Sequence, residues 1–275
     1  MSHNFADASA RQRAKLLLDD GSFRELLGPF DRLTSPWLER QGIVPQFDDG
    51  VVIAKGRIDG QSAVVAAIEG GFQGGSLGEV AGAKIAGALE LALEDNQKGI
   101  PTAAVLVLET GGVRLQEANL GLAAIAEIQS AIVELRAHQP VIGIITGPVG
   151  CFGGMSIAAG LCSYLIMTRE GRLGLNGPLV IEQEAGIGEY NAADRPFIWS
   201  LSGGEQRLAG GLVDACTGES TGSVASALRY YLKKGLPKVQ RSDAFDRFLP
   251  ALLELDNSQQ LDAAGARAIL KGVQA

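Results

Sequence analysis

The chain has 275 residues, of which 46% are hydrophobic and 20% charged, and its formal net charge is -7 at pH 7. This composition is typical of a folded globular protein and excludes a disordered, collagen-like or coiled-coil chain. The acidic balance argues against a nucleic-acid coat and against a polybasic membrane segment, because both need clustered positive charge. We therefore expect neither nucleic acid nor a membrane among the partners.

Cysteine and glycine usage narrows the class further. The cysteines Cys151, Cys162 and Cys216 form no CxxC pair, which predicts reduced thiols and a cytoplasmic protein. The first 20 residues have no basic segment followed by an apolar one, so we expect no signal peptide. Glycine is abundant, at 37 of 275 residues, and predicts many tight turns and close backbone approaches.

The apolar pattern predicts an α/β fold. A helix is expected over residues 9–20, followed by strands at 51–59 and 61–68 that Asp59-Gly60 joins as a hairpin. A unit of apolar strand, glycine turn and helix then recurs at 64–97, 103–137 and 141–161. The later predicted elements are strands at 164–168 and 212–216, a helix at 223–234, and one or two helices within 243–272. Strands that alternate with helices predict helices packed on a sheet, and no linker-like segment divides the chain. We therefore expect a single domain with helical extensions at both ends.

The segment Leu201–Arg207 reads LSGGEQR, the signature loop of ABC-type ATPases. Such a protein also needs a GxxxxGK[ST] phosphate-binding loop, and the sequence contains none. The favoured interpretation is a helix start, with Ser202 as the N-cap residue and Glu205 as its capping-box partner.

Other active-site patterns are also incomplete. Gly154–Ala158 resembles a nucleophile elbow, but a serine hydrolase needs a histidine after the serine, and both histidines, His3 and His138, lie upstream. Two histidines and dispersed cysteines predict no metal site, and no GxGxxG follows a strand to bind a dinucleotide. Cys151 could act as a nucleophile, but a buried packing role is favoured because no histidine is near it in the sequence.

The glycine turns remain as the informative feature. Each one follows a strand and opens a helix, where the first amides have no intrahelical partner and the helix dipole is positive. Two such turns side by side would present N–H groups to one developing oxyanion. The candidates are Gly74-Gly75 and Gly153-Gly154, and an enzyme that forms a thioester enolate needs little else. The turns could also be tight connections without a catalytic role.

Four motifs in chain order carry a family resemblance. They are FQGGSLGE at 72–79, GGVRLQE at 111–117, GGMS at 153–156 and GPLVIEQ at 177–183. This order resembles biotin-dependent carboxyltransferases, above all the β subunit of acetyl-CoA carboxylase. The opening segment from Ser9 and the closing GLVD at 211–214 are also similar, so the resemblance runs over about residues 9–217.

The departures from that pattern narrow the family. The acetyl-CoA carboxylase β subunit usually has an N-terminal four-cysteine zinc ribbon, but this chain has no cysteine before Cys151. Where that family usually has GGAR, this chain has GGVR at 111–114. Its length covers one half of a complete carboxyltransferase. Together these features resemble the β subunit of biotin-independent malonate decarboxylases.

This resemblance implies a crotonase-like domain over residues 1–275, with a core at about 9–217 and a helical extension at about 218–275. It implies a carboxy-lyase reaction, in which a malonyl thioester on an acyl carrier protein becomes an acetyl thioester and CO2. A γ subunit would carry the other half of the enzyme, and the chain itself would hold no cofactor and no metal, because the thioester belongs to the carrier protein or to CoA.

The resemblance also assigns residues. Gly74, Gly75, Gly153 and Gly154 would form the oxyanion hole. The substrate would be bound by Gly111, Gly112 and Arg114. The second oxyanion position is uncertain by one residue, so Phe152 is a reserve candidate for it and would otherwise also contact the substrate.

Alternatives stay open at this point. Arg114 and Glu117 are spaced i, i+3 and could be a helix-start ion pair. The chain could also be a carboxyltransferase subunit of a biotin-dependent acyl-CoA carboxylase, or a non-catalytic assembly subunit.

Overall fold

The computed structural model describes residues 4–44, 50–117, 119–255 and 262–274. Seven strands form one sheet whose strand order follows the chain from β1 to β7. The first three strands pair antiparallel, and β3 to β7 pair parallel. The strands are β1 (Arg24–Leu27), β2 (Val51–Ile58), β3 (Gln61–Ile68), β4 (Thr102–Leu108), β5 (Val141–Ile145), β6 (Tyr164–Thr168) and β7 (Ala215–Thr217).

Ten α-helices surround the sheet among the described residues. They are α1 (Ala10–Leu17), α2 (Glu79–Gln97), α3 (Asn119–Leu135), α4 (Gly154–Leu161), α5 (Pro178–Ala185), α6 (Arg195–Ser202), α7 (Gly204–Ala209), α8 (Thr221–Lys234), α9 (Leu249–Leu253) and α10 (Ala263–Gln274). None of them is long and apolar enough to cross a membrane.

Local sequence explains the first elements. Ser9 caps α1 in a capping box with Gln12. The β2–β3 hairpin turns at Asp59 and Gly60, whose φ values of 49° and 82° suit a two-residue turn with both central residues in the left-handed region.

Two apolar clusters lie on opposite faces of the sheet. One contains the inward side chains of α2, α3 and α4, such as Leu89, Ile128 and Met155. The other contains those of α1 and α8, such as Leu17 and Leu228. The central parallel strands are buried on both faces, which explains their continuous apolar sequences.

The predicted elements are confirmed with small shifts in most places. The strand expected at 212–216 is instead Ala215–Thr217, because Leu212 N–H bonds to Arg207 O in the turn after α7. The terminal helices expected within 243–272 are α9 and α10, and residues 256–261 between them lie outside the described part of the chain.

The predicted N-cap at Ser202 is wrong. Asp194 caps α6, which runs through Ser202, and the Ser202 hydroxyl donates to Ile198 O at 2.8 Å. Gly203 ends α6 and starts α7, and Glu205 forms an exposed ion pair with Arg169 instead of a capping box.

Candidate active site

Three glycine loops meet at one edge of the sheet. The first glycine loop (residues 70–75) follows β3, the second (residues 110–113) follows β4, and the third (residues 147–154) follows β5. Since β3, β4 and β5 are parallel neighbours, their carboxyl ends lie at the same edge, where open α/β sheets bind ligands. The fold thus brings together all three turns predicted from the sequence.

Backbone hydrogen bonds join the second loop to both of the others. Gly111 N–H donates to Gly74 O at 2.8 Å, which links it to the first loop. Thr110 N–H donates to Gly150 O at 2.7 Å, and Phe152 N–H donates to Thr110 O at 3.0 Å, which links it to the third. The three loops therefore form one rigid backbone assembly, with the second loop in the middle.

Two close approaches require glycine. Gly75 has a φ of 66°, and a Cβ atom there would lie 2.0 Å from Glu109 O. Gly112 and Gly153 also have positive φ, and a Cβ on either would come within 3.0–3.2 Å of the other's Cα. Glycine is needed at these positions for both conformation and space.

The amide groups of the predicted oxyanion residues differ in availability. Gly75 N–H donates to Phe72 O at 2.9 Å, and Gly153 N–H donates to Leu175 O at 2.7 Å. In the described part of the chain, the N–H groups of Gly74 and Gly154 have no assigned acceptor. These two are therefore the amides in the predicted set that are available to a ligand.

A third available amide escaped the sequence analysis. Val113 N–H has no assigned acceptor among the described residues, and its nitrogen lies 3.8 Å from the position of a Cβ on Gly153. The signal that could have found it is its place directly after a strand and a Gly-Gly turn.

A cleft of about 740 Å³ opens beside the loops. Of the predicted residues, Gly74, Gly111 and Arg114 line it, together with Ile43 and Val149. The cleft lies between the first two loops and residues 114–117, which lead into α3.

Phe152 is 5% exposed and its ring lies under the Arg172 guanidinium, 5.6 Å from ring centroid to Cζ. Its ring packs beside Gly150 and Gly174, and its N–H donates to Thr110 O, so this amide is not available as the reserve oxyanion donor.

Arg114 is held as an ion pair at the base of the cleft. Its side chain is 2% exposed, donates to Glu117 Oε1 at 3.0 Å, and also donates to Ser76 O at 2.9 Å. Glu117 in turn accepts the Glu79 N–H at the start of α2 at 2.7 Å. The ion-pair interpretation is confirmed, and the pair ties the first loop, the cleft wall and α2 together.

Cys151 is buried in the apolar core, and burial raises the pKa of its thiol, with a further contribution from Cys162. A thiol in this state is protonated at neutral pH and is a poor nucleophile. This environment supports the packing interpretation. Within the described residues, no group of three or more His, Cys, Asp or Glu side chains could hold a metal ion, and His3 lies outside them.

Large apolar side chains are exposed around the loops. Leu175, whose carbonyl accepts the Gly153 N–H, is 59% exposed, and Ile157 on α4 is 52% exposed. Leu115, next to Arg114 in the cleft wall, is 81% exposed, and Leu179 on α5 is 75% exposed. Exposed apolar side chains close to a functional loop can form part of a protein–protein interface.

Comparison with known proteins gives sequence relatives in two groups. The carboxyl transferase domain family matches residues 3–196. The malonyl-S-ACP:biotin-protein carboxyltransferase MADC of Malonomonas rubra is 39% identical over 247 residues, covering 86% of this chain and 78% of that protein. The acetyl-coenzyme A carboxylase carboxyl transferase subunit beta of Fusobacterium nucleatum is 33% identical over 190 residues, covering 66% of this chain and 60% of that protein.

Solved structures agree with this grouping. A chain of a Pseudomonas malonate decarboxylase hetero-tetramer in complex with malonate is 66% identical, with a TM-score of 0.91 over 98% of this chain and 97% of that one. A chain of the Pseudomonas MdcD-MdcE hetero-dimer is 59% identical, with a TM-score of 0.77 over 91% of this chain and 97% of that one. Transcarboxylase 12S is 28% identical, with a TM-score of 0.67 over 84% of this chain but 42% of its own.

These relatives confirm the expected α/β crotonase-like fold and the resemblance to malonate decarboxylase and carboxyltransferase chains. The family match covers well over half of the sequence. The chain therefore belongs to the carboxyl transferase domain family.

Proposed function

We propose that this chain is the β-type subunit of a biotin-independent malonate decarboxylase, which converts malonyl-S-acyl carrier protein to acetyl-S-acyl carrier protein and CO2. The observation that carries the proposal is the assembly of three glycine loops at one sheet edge, where the amides of Gly74 and Gly154 have no assigned acceptor among the described residues. The similarity to Pseudomonas malonate decarboxylase, at 66% identity, supports the choice of reaction.

The chemistry requires stabilisation of one developing charge. When the bond between the malonyl carboxylate carbon and the α-carbon breaks, CO2 leaves and its bonding electron pair enters the thioester as an enolate. Backbone N–H groups aimed at the enolate oxygen lower this barrier, and removal of one such donor costs about 2.7–4 kcal/mol. A proton then adds to the α-carbon and gives the acetyl thioester.

We assign the catalytic role to Gly74, Gly75, Gly153 and Gly154. The N–H groups of Gly74 and Gly154 act as donors, while Gly75 and Gly153 shape the turns, since their own N–H groups are already bonded.

Gly111, Gly112 and Arg114 bind the thioester arm beside the cleft. Phe152 supports the third loop by packing its ring beside Gly150. No metal takes part in the proposed reaction. No cofactor is assigned to this chain, because the reacting thioester is carried on the prosthetic arm of an acyl carrier protein or on CoA.

The active enzyme in this proposal needs a γ subunit. Leu115, Ile157, Leu175 and Leu179 lie in or near the loops along the sequence and are half or more exposed, which suits burial against a second protein. Such a partner would exclude water from the reacting carboxylate and supply the proton. The related Pseudomonas chains come from a hetero-dimer and a hetero-tetramer, which supports a hetero-oligomer. The carrier protein is a further partner in this proposal.

The domain limits and location belong to the same proposal. We infer one domain over residues 1–275, with a catalytic core at about 9–217 and a helical extension at about 218–275. A cytoplasmic location is supported by the free thiols of Cys151, Cys162 and Cys216, which suit a reducing compartment.

The test is turnover of a malonyl thioester by this chain purified with its γ subunit, with avidin present and ATP absent. We expect acetyl thioester and CO2 at a rate that avidin does not change. Malonyl-S-acyl carrier protein and malonyl-CoA are compared as substrates. No turnover of either by a folded complex would refute the proposed reaction.

A second candidate is carboxyl transfer to biotin, which the 39% identity to a malonyl-S-ACP:biotin-protein carboxyltransferase favours. In that case avidin blocks turnover, and carboxybiotin forms when a biotinylated acceptor is added. The same assay therefore separates the two reactions.

The role of this chain, as opposed to its partner, is tested with Leu179→Asp and Gly154→Val. The first should prevent co-purification with the γ subunit and leave the free chain folded, because Leu179 is exposed. The second places a branched side chain at the start of α4, where its Cβ would lie 3.0 Å from Ile125 Cγ2 of α3. This variant should abolish turnover. A Gly154→Val complex that assembles and keeps full activity would indicate a non-catalytic assembly subunit.

A further inference from the structure

A buried carboxylate lies between the first and third glycine loops. Glu109 directly follows β4, and its side chain is 4% exposed. Its Oε1 accepts the Val149 N–H of the third loop at 3.3 Å. Its Oε2 accepts a hydrogen bond from Arg13 Nη1 on α1 at 2.5 Å.

The backbone of both loops is shaped around this carboxylate. A Cβ atom on Gly70 of the first loop would lie 2.4 Å from Glu109 Cδ, and one on Gly147 of the third loop would lie 2.2 Å from it. No real Cβ tolerates such distances, so both glycines leave the space that the carboxylate fills. The Glu109 carbonyl oxygen also faces Gly75, as described above, so this one residue contacts both ends of the first loop.

The ion partner of Glu109 is equally fixed. The Arg13 side chain is 3% exposed and also donates to Phe5 O at 3.0 Å and to Ala6 O at 2.5 Å. A buried ion pair is weak support for stability, because desolvation of both charges offsets their attraction and apolar residues of similar volume often do as well. A fully buried pair at this point is therefore better explained by the geometry that it imposes on its neighbours.

We propose that Glu109 is a positioning residue for the reaction, which sets the separation between the first and third glycine loops. It acts through the backbone: Val149 and Gly147 on one side, Gly70 and Gly75 on the other. Through them it fixes the N–H groups of Gly74 and Gly154 with respect to each other. The catalytic readout of this inference depends on the proposed function, whereas its structural readout does not.

Two variants of Glu109 test the proposal in the assembled complex with the γ subunit. Glu109→Gln removes the charge, and Glu109→Asp keeps the charge but withdraws the carboxylate by one methylene, out of reach of Val149 N–H. Because displacement of catalytic groups by about 1 Å can reduce the rate about 100-fold, we expect kcat to fall about 10- to 100-fold in both. KM should change less than about threefold, since Glu109 does not contact the substrate.

The control is Glu25→Gln, which removes an Arg–Glu pair whose side chains are 41% and 27% exposed. Glu25 on β1 pairs with Arg11 of the same helix α1, at 2.6 and 2.8 Å, but contacts none of the three glycine loops. The Glu25→Gln variant therefore removes an Arg–Glu pair from α1 without moving the glycine loops. Its kcat should stay within about twofold of the wild type.

Amide hydrogen exchange gives a readout that needs no turnover. Both Glu109 variants should exchange faster over residues 70–75 and 147–154, and Glu25→Gln should not. If the wild-type complex fails to decarboxylate, exchange alone still decides the positioning role. If Glu109→Gln does not fold, Glu109→Asp decides, because it keeps a negative charge next to Arg13.

Wild-type kcat and wild-type exchange in a folded Glu109→Asp complex would overturn the inference. So would an equal loss of kcat in Glu25→Gln, because loss of activity would then follow loss of stability and not loop position.

Discussion

Alanine substitutions at two neighbouring glycines separate conformational strain from steric contact. Gly74 and Gly75 have nearly the same positive φ, at 65° and 66°. A Cβ on Gly74 would meet no atom within 4 Å, whereas a Cβ on Gly75 would lie 2.0 Å from Glu109 O and 2.9 Å from Thr110 Cα. Each variant serves as the control for the other.

The magnitudes follow from these contacts. A left-handed backbone costs a non-glycine residue about 1–2 kcal/mol, and this term applies to both variants. The loss of unfolded-state freedom from glycine to alanine is also common to both and cancels in their difference. Gly75→Ala must in addition displace the Glu109 carbonyl, and overpacking of this kind costs about 1–3 kcal/mol. We therefore expect Gly75→Ala to be about 1–3 kcal/mol less stable than Gly74→Ala.

The assay is thermal unfolding of the free chain, followed by circular dichroism for both variants and the wild type. At about 2 °C per kcal/mol for a chain of this size, Gly75→Ala should melt about 2–6 °C below Gly74→Ala. Equal melting temperatures, within about 1 °C, would refute the claim that the close contact with the Glu109 carbonyl selects glycine at position 75.

Three further predictions concern charge and thiol chemistry. Arg114→Met leaves Glu117 buried without its partner and should cost about 3–5 kcal/mol in urea unfolding, most of it recovered in Arg114→Met/Glu117→Gln. Burial raises the pKa of the Asp95 carboxyl, but hydrogen bonds from a lysine and a threonine outweigh it, so the pKa lies below its ordinary 3.8. Asp95→Asn should therefore be less stable than the wild type at pH 7, and the difference should shrink as unfolding is repeated at pH values falling below about 4. Iodoacetamide at pH 8 should label the half-buried Cys216 slowly in the native chain and should leave Cys151 unlabelled until urea unfolds the chain. Labelling is followed by mass spectrometry. Early labelling of Cys151 would contradict its burial.

Most of the sheet was predictable because its central strands are continuous apolar sequences bounded by glycine. The segment before β7 shows the limit of this reasoning. Leu212 and Val213 continue an apolar pattern, but Asp214 fixes their path through tertiary contacts: its carboxylate accepts Leu165 N–H at 2.7 Å and also pairs with Arg241. A side-chain contact to a residue so distant in sequence leaves no signal in the local pattern.

The same limit applies to the candidate site. The sequence predicted which glycine turns meet, since turns after parallel strands share one edge. It did not predict which amides lack an acceptor in the described part of the chain, because the acceptors for Gly75 and Gly153 come from Phe72 and Leu175, outside the Gly-Gly motifs. The role proposed for Glu109 was also hidden, because a single acidic residue after a strand carries no motif.

The agreement between strand order and chain order has a consequence for synthesis on the ribosome. Each strand adds to the edge left by the strand before it, so the sheet can grow in the direction in which the chain emerges. The glycine loops follow β3, β4 and β5, and they can therefore join one another before β7 is translated. The exposed leucines Leu115, Leu175 and Leu179 also precede β7, so this apolar surface and the loops beside it can form before the sheet is complete.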